Sequence, residues 1–203
     1  MPDLEFEKKY FSSGPVVGID EAGRGPLAGP VSVGAVILPA GFEHPLVNDS
    51  KKLCEKKREL LFEGLEADDS IQWAVVLVEP AEIDELNILK ATHLGMERAV
   101  VALGEDPGMC LIDGLPVKGF PYPHEGIVKG DSKSLSIATA SIFAKVTRDR
   151  VMREAAEKYP GYGFEQHKGY GTKAHLEALR TLGPCPIHRR SFQPVAQLTF
   201  PLG

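Results

Sequence analysis

A chain of 203 residues with 43% hydrophobic and 25% charged side chains has an ordinary globular composition and is long enough to bury one large core. No apolar run approaches the length needed to span a bilayer, and Met1 to Tyr10 lacks the apolar centre of a signal peptide, so cytoplasmic residence without a membrane partner is the expectation. A formal charge of −5 argues against indiscriminate coating of nucleic acid, and the separated Cys54, Cys110 and Cys185 match neither a disulfide framework nor a thiolate metal site.

Val16 and Val17 read as a strand that delivers Asp20, with Glu21 beside it, into Gly18-Ile19-Asp20-Glu21-Ala22-Gly23-Arg24-Gly25-Pro26. Adjacent carboxylates at a strand end repel unless something positive lies between them, and a hard divalent cation held through oxygens is the usual answer. A polar turn, with one carboxylate capping the next segment, is the plainer alternative. Gly23 and Gly25 let bare backbone approach a ligand. Residues 31–38 form a nearly all-apolar strand suited to a sheet interior, ended by Pro39 and Gly41. Asn48-Asp49-Ser50-Lys51-Lys52-Leu53 leads into a helix from Glu55 to Leu65, with Leu60, Leu61 and Leu65 at helical spacing; Asp49 or Ser50 reads best as its cap.

Ile71 to Val78 is the next strand, Pro80 opens a short helix through Leu86, and a longer helix runs from Ile88 to Leu103 and stops at Gly104. This is an α/β rhythm. Met109 to Asp113 is a short apolar strand ending in Asp113-Gly114, a pair that alone most often makes a tight turn. Asp20 also terminates an apolar strand, and two parallel strands that each end in a carboxylate would meet at the sheet's carboxyl edge, where open α/β sheets bind ligands. Strand-like Gly126 to Lys129 precedes Gly130-Asp131-Ser132-Lys133-Ser134 and a helix from about Ser136 to Tyr159. Asp131 is either that helix's cap or a functional carboxylate; Ser141, Lys145 and Arg148 share a face that turns to phosphates or to solvent.

Residues 162–172 read as a loop, Thr172 to Leu182 as a short helix, and Tyr170 as an aromatic platform for a sugar or base, or else an interface tyrosine. Three basic groups punctuate the chain: Lys51 to Arg58, Lys145 to Arg150, and His188 to Arg190. Each alone is commonly a solvated face, but beside a carboxylate cluster they suit a polyanion held near a metal.

The ordered set of motifs resembles the bacterial type 2 ribonuclease H family, ribonuclease HII, over nearly the whole length. It comprises Gly18 to Pro30, Asn48 to Leu53, Ile112-Asp113-Gly114, Gly130 to Ala138, Ala144 to Asp149, His167 to Thr172 and His188 to Phe192. The resemblance implies a ribonuclease H-like mixed five-stranded sheet flanked by helices, with residues 1–160 as the catalytic domain and 161–203 as a small helical C-terminal lobe and tail. It implies cleavage of the RNA strand of RNA/DNA hybrids, including a ribonucleotide embedded in duplex DNA, leaving 3′-hydroxyl and 5′-phosphate ends. By the same resemblance Asp20, Glu21, Asp113 and Asp131 are the catalytic metal-site carboxylates; Gly23, Arg24 and Gly25 sense the ribose 2′-hydroxyl; and Tyr170 stacks on the neighbouring sugar.

Phosphodiester hydrolysis needs an activated water and a stabilised leaving oxygen, which two Mg²⁺ or Mn²⁺ ions roughly 4 Å apart supply. Ser50, Lys51, Lys145, Arg148 and Lys168 are the further candidates for substrate contact, positioning the duplex without reading it. A kinase or dehydrogenase is poorly supported, since Gly23, Gly25 and Gly29 have the wrong spacing for a dinucleotide loop and no Walker lysine is present. A non-catalytic hybrid-binding module is the stronger rival, yet four anions near a phosphate are counterproductive without metal. A nuclease for DNA alone is a more distant one. The expected state is a monomer, and Gln197 to Leu202 loosely resembles peptides that dock on replication sliding clamps; a terminal strand or hydrophobic tail covering the lobe is the packing alternative.

Overall fold

Two apolar runs, β1 (Val16–Ala22) and β2 (Val31–Ile37), pair antiparallel across an eight-residue connection in a computed structural model that describes residues 2–47 and 53–199. Before them lie α1 (Glu5–Lys8) and a 3-10 turn at Phe11–Ser13. After them come α2 (Glu55–Glu66), β3 (Gln72–Val78), α3 (Pro80–Leu86), α4 (Ile88–Leu103), β4 (Met109–Asp113) and β5 (His124–Ile127). A second 3-10 turn at Gly130–Ser132 leads into α5 (Leu135–Lys158), and α6 (Phe164–His167), α7 (Lys173–Leu182) and α8 (Val195–Thr199) follow. No helix among the described residues is long and apolar enough to cross a membrane.

The five strands form one mixed sheet in the order β3-β2-β1-β4-β5. β1 is central, antiparallel to β2 and parallel to β4, and β4 is parallel to β5. Alternation along β1 and β2 sends Val17, Ile19, Val33 and Ala35 against Met96, Ala99 and Val100 of α4. On the opposite face α5 lies against Val36 and meets Leu61, Phe62 and Leu65 of α2. There Trp73 stacks on Phe143 with ring centroids 4.5 Å apart.

Two glycines bring α5 close to the sheet. A Cβ on Gly18 would lie 2.3 Å from the Ser136 carbonyl carbon, and one on Gly34 would lie 2.5 Å from the Ala140 oxygen. Gly18→Ala therefore forces helix and strand apart; we expect a loss of about 1–3 kcal/mol, measured as a lower urea midpoint, whereas Gly64→Ala, which meets nothing, leaves the midpoint unchanged or raises it.

The expected elements stand with small changes that have local causes. Leu60 sits at helical spacing but is exposed, the buried stripe of α2 being Leu61, Phe62 and Leu65. β5 lies two residues before the predicted strand, since only His124–Ile127 finds a partner on β4, and Val128 is exposed. Residues 162–172 contain α6 rather than loop alone, and Val195–Thr199 forms α8, so that of the two packing alternatives for the tail the strand is not found among the described residues. α1 has no counterpart in the sequence reading. Its Glu7 is buried and accepts hydrogen bonds from the Ser134 hydroxyl and from the Ser136 N–H and hydroxyl, holding the amino terminus to the start of α5.

Candidate active site

The parallel register of β1 and β4 sets Ile19 opposite Ile112, so the next residues, Asp20 and Asp113, are neighbours at the carboxyl ends of adjacent strands. Asp20 is buried, and one of its oxygens accepts the Glu21 N–H at 2.7 Å. Asp113 Oδ1 accepts the Gly130 N–H at 2.6 Å, which docks the Gly130–Ser132 turn on β4 and brings the adjoining Asp131 to the same sheet edge. Ser134, not Asp131, caps α5, its side chain accepting from the Ile137 N–H.

Glu21 leans to Arg24, with Oε1 3.1 Å from the guanidinium, and its other oxygen is buried without a hydrogen-bond partner. Burial, then the charges of Glu21 and Asp113, hold the Asp20 carboxyl well above the ordinary carboxylate range. Burial also pushes Glu21 up, against the pull of Arg24. The carboxylates lie side by side without closing into a cage: among the described residues no group of three or more His, Cys, Asp or Glu side chains is disposed to hold an ion. An orphaned buried oxygen, a carboxyl that resists ionising beside two others, and an all-oxygen donor set nevertheless fit a hard divalent cation, which would relieve the first two.

A cleft of about 260 Å³ runs from Glu21 past Ser141 and Lys145 to Tyr170, with Arg58 of α2 on its wall. Tyr170 is half exposed, and a Cβ on Gly25 would lie 3.8 Å from its ring. Gly25 thus adjoins the tyrosine that lines one end of a cleft reaching Glu21. Lys145 lines the same cleft while its ammonium pairs with Asp149 at 2.6 Å.

Arg148 and Lys168 are placed otherwise than expected. The Arg148 guanidinium is buried and donates to the carbonyls of Pro30, Lys168 and Ala28, so it braces a loop rather than meeting a phosphate. Lys168 is also buried; its ammonium donates to the Glu165 carbonyl and lies 3.3 Å from Glu55. In the third basic group Arg189 is fully buried, and the Arg190 N–H bonds Asp84. Arg150 pairs with Glu59 of α2, as does Arg153. Arg148, Lys168 and Arg189 are therefore internal braces, Lys145, Arg150 and Arg153 are held in ion pairs, and Lys56, Lys57 and the Arg190 side chain are exposed. Ser50 and Lys51 lie outside the described residues.

Behind Tyr170 the sequence reading missed a buried histidine pair. The Cys185 N–H donates to His188 Nδ1 at 2.9 Å, which makes that nitrogen an acceptor and puts the proton on Nε2. From there it points at His175 Nε2, 3.1 Å away, and His175 Nδ1 is left to donate to the Tyr170 carbonyl at 2.9 Å. Both rings must be neutral for this chain of donors. Burial, reinforced by His175, pushes His188 down to about 4. A histidine depressed in the folded state binds its proton first in the unfolded chain, so stability is full above the ordinary histidine range and is lost as pH falls toward about 4. Urea midpoints at pH 7 and pH 5 should show that loss in the wild type and a smaller one in His188→Gln.

The comparisons with known proteins agree with this geometry. The family model described as ribonuclease HII matches residues 17–195. The ribonuclease HII of Endomicrobium trichonymphae is 55% identical over 195 residues, spanning 95% of this chain and 92% of its own. That of Geobacter metallireducens is 53% identical over 186 residues, spanning 92% and 87%. Among solved structures, the ribonuclease H2 of Pyrococcus horikoshii superposes with a TM-score of 0.76 at 29% identity, over 90% of this chain and 96% of that one. The structure of the PCNA:RNase HII complex from Archaeoglobus fulgidus matches with a TM-score of 0.72 at 26% identity, over 92% and 97%. A family model that accounts for most of the sequence, and a mixed sheet that gathers Asp20, Glu21 and Asp113 at one edge, lead to one assignment: the chain belongs to the ribonuclease HII family and is a nuclease of the hydrolase class.

Proposed function

We propose that the chain cuts the RNA strand of RNA/DNA hybrids and incises duplex DNA at single embedded ribonucleotides, leaving 3′-hydroxyl and 5′-phosphate ends. The observation that carries the reading is the β1/β4 register, which sets Asp20 beside Asp113 while a buried oxygen of Glu21 lacks a partner. Asp20, Glu21, Asp113 and Asp131 hold two divalent ions, Mg²⁺ or Mn²⁺, which when bound supply water activation and charge stabilisation at the departing 3′-oxygen.

The rest of the cleft positions substrate. Backbone groups of Gly23, Arg24 and Gly25 meet the 2′-hydroxyl, the feature that separates RNA from DNA. Tyr170, exposed beside Gly25, stacks on the adjoining sugar, and Lys145 approaches a phosphate from α5. Residues 1–160 form the catalytic part in this reading, and 161–203 the lobe that presents Tyr170. The reaction takes place in the cytoplasm, on a monomer.

Three labelled duplexes test the proposal under Mg²⁺: all-DNA, one ribonucleotide, and a continuous RNA strand. Incision of the last two with 3′-hydroxyl ends is expected. Binding without incision favours the non-catalytic module, and equal cutting of all-DNA overturns ribonucleotide recognition. A contact between the tail and a sliding clamp extends the reading: Gln197 and Leu198 lie on α8, with Leu198 exposed, and residues 200–202 fall outside the described part. A pulldown with a chain ending at Ala196 should lose clamp binding; equal capture removes the idea.

A further inference from the structure

Arg189 lies more than 160 positions from the Gly23–Gly25 bend, yet it is fully buried beneath it. Its Nη2 donates to the Gly23 carbonyl at 2.6 Å, Nη1 to the Arg24 carbonyl at 2.8 Å, and Nε to the Gly29 carbonyl at 2.9 Å. The guanidinium face lies against the Phe192 ring, 5.1 Å from its centroid. The Arg189 N–H also donates to the Leu27 carbonyl, so main chain and side chain grip the same loop.

A trans peptide is planar, and its C=O and N–H point in opposite directions. Two carbonyls drawn inward to one guanidinium therefore turn the N–H groups of Arg24 and Gly25 outward. Neither N–H donates to another backbone carbonyl among the described residues. The outward side is the one bordered by Tyr170, since a Cβ on Gly25 would meet that ring.

We infer that Arg189 is a positioning residue for ribonucleotide selection: by fixing two carbonyls inward it presents the Arg24 and Gly25 N–H groups as a pair of outward donors to the sugar oxygen of the substrate. This rests on the proposed reading of Gly23–Gly25 as the 2′-hydroxyl contact. A flat fork with three donors on three carbonyls holds both peptide planes at once, which the single ammonium of a lysine does not.

The test is affinity in Ca²⁺, by fluorescence anisotropy, for two duplexes identical except for one ribonucleotide. For the wild type, the ratio of the all-DNA Kd to the ribonucleotide Kd should be about ten or more. Arg189→Lys should lower that ratio about tenfold, toward one, with all-DNA affinity unchanged. Phe192→Leu, which removes the ring beneath the guanidinium but keeps the charge, should lower it partway and guards against a misfolded Arg189 variant. Leu65→Ala, a core truncation beneath α2, should lower Tm and leave the ratio intact, because fewer folded molecules weaken both duplexes alike. An unchanged ratio in Arg189→Lys and Phe192→Leu, with a discriminating wild type, overturns the role of Arg189 alone. A wild type that binds both duplexes equally overturns the 2′-hydroxyl reading itself.

Discussion

Asp113→Asn should lower kcat by about 10³-fold or more at saturating Mg²⁺ while leaving the circular dichroism spectrum and Tm close to wild type. The side chain has two separable jobs. Its Oδ1 accepts the Gly130 N–H, which docks the turn bearing Asp131 on β4, and an amide oxygen accepts that bond equally well. Among the described residues its negative charge has no ion-pair partner, and in the proposed mechanism it holds an ion at the sheet edge. The substitution keeps the first job and deletes the second, so a structural role and a catalytic one are told apart by one variant. Incision at the wild-type rate by a folded Asp113→Asn would remove Asp113 from the metal site.

Asp20→Asn should abolish turnover to a similar extent and, in contrast to most buried substitutions, raise the stability of the metal-free protein by about 1–2 kcal/mol. Asp20 is buried beside Glu21 and Asp113, and its carboxyl is held well above the ordinary range, first by burial and then by those two charges. A carboxyl raised in the folded state stabilises the fold fully below the ordinary carboxylate range, and that stability declines as pH rises from there through the raised value. At pH 8 the ionised form carries the whole penalty, which the asparagine does not. Its amide oxygen still accepts the Glu21 N–H that Asp20 accepts at 2.7 Å.

Magnesium completes the pattern. An ion that binds only the folded state stabilises it by mass action, by about 1.4 kcal/mol at tenfold its Kd. Wild-type Tm at pH 8 should therefore climb with Mg²⁺ and approach that of Asp20→Asn, whose own Tm should stay flat. A Tm for metal-free Asp20→Asn several degrees below wild type would show that the carboxylate is a structural acceptor and not a strained metal ligand.

Much of this site was legible before any coordinates. The apolar runs that end in Asp20 and Asp113, the helix stop at Gly104 and the proline start at Pro80 are local signals, and the elements they mark were found within two residues of expectation. The motif set around Asp20, Asp113 and Asp131 pointed to ribonuclease HII because family motifs are read from order and identity, which survive without a structure. Asp131 could be told from a helix cap only when Ser134 was seen to occupy that position.

Charge was the feature that sequence misread. Arg148, Lys168 and Arg189 resemble a surface for polyanions when written in a line, and in the fold they are buried, with Arg148 and Arg189 each spread over three carbonyls. The irregular segment from Gly23 to Pro30 returns from β1 to β2 beside the C-terminal helices, and several of its carbonyls have no strand to pair with. Guanidinium groups from residues more than a hundred positions away meet that need. Element type and chemical inventory were set by neighbours within a few residues, through periodicity, caps and residue identity, and so the sequence alone determined them. Which carboxylates touch, which cations face solvent and which backbone donors turn toward a ligand depend on hydrogen bonds closed between distant segments, and those exist only once the sheet, α5 and the C-terminal helices have packed together.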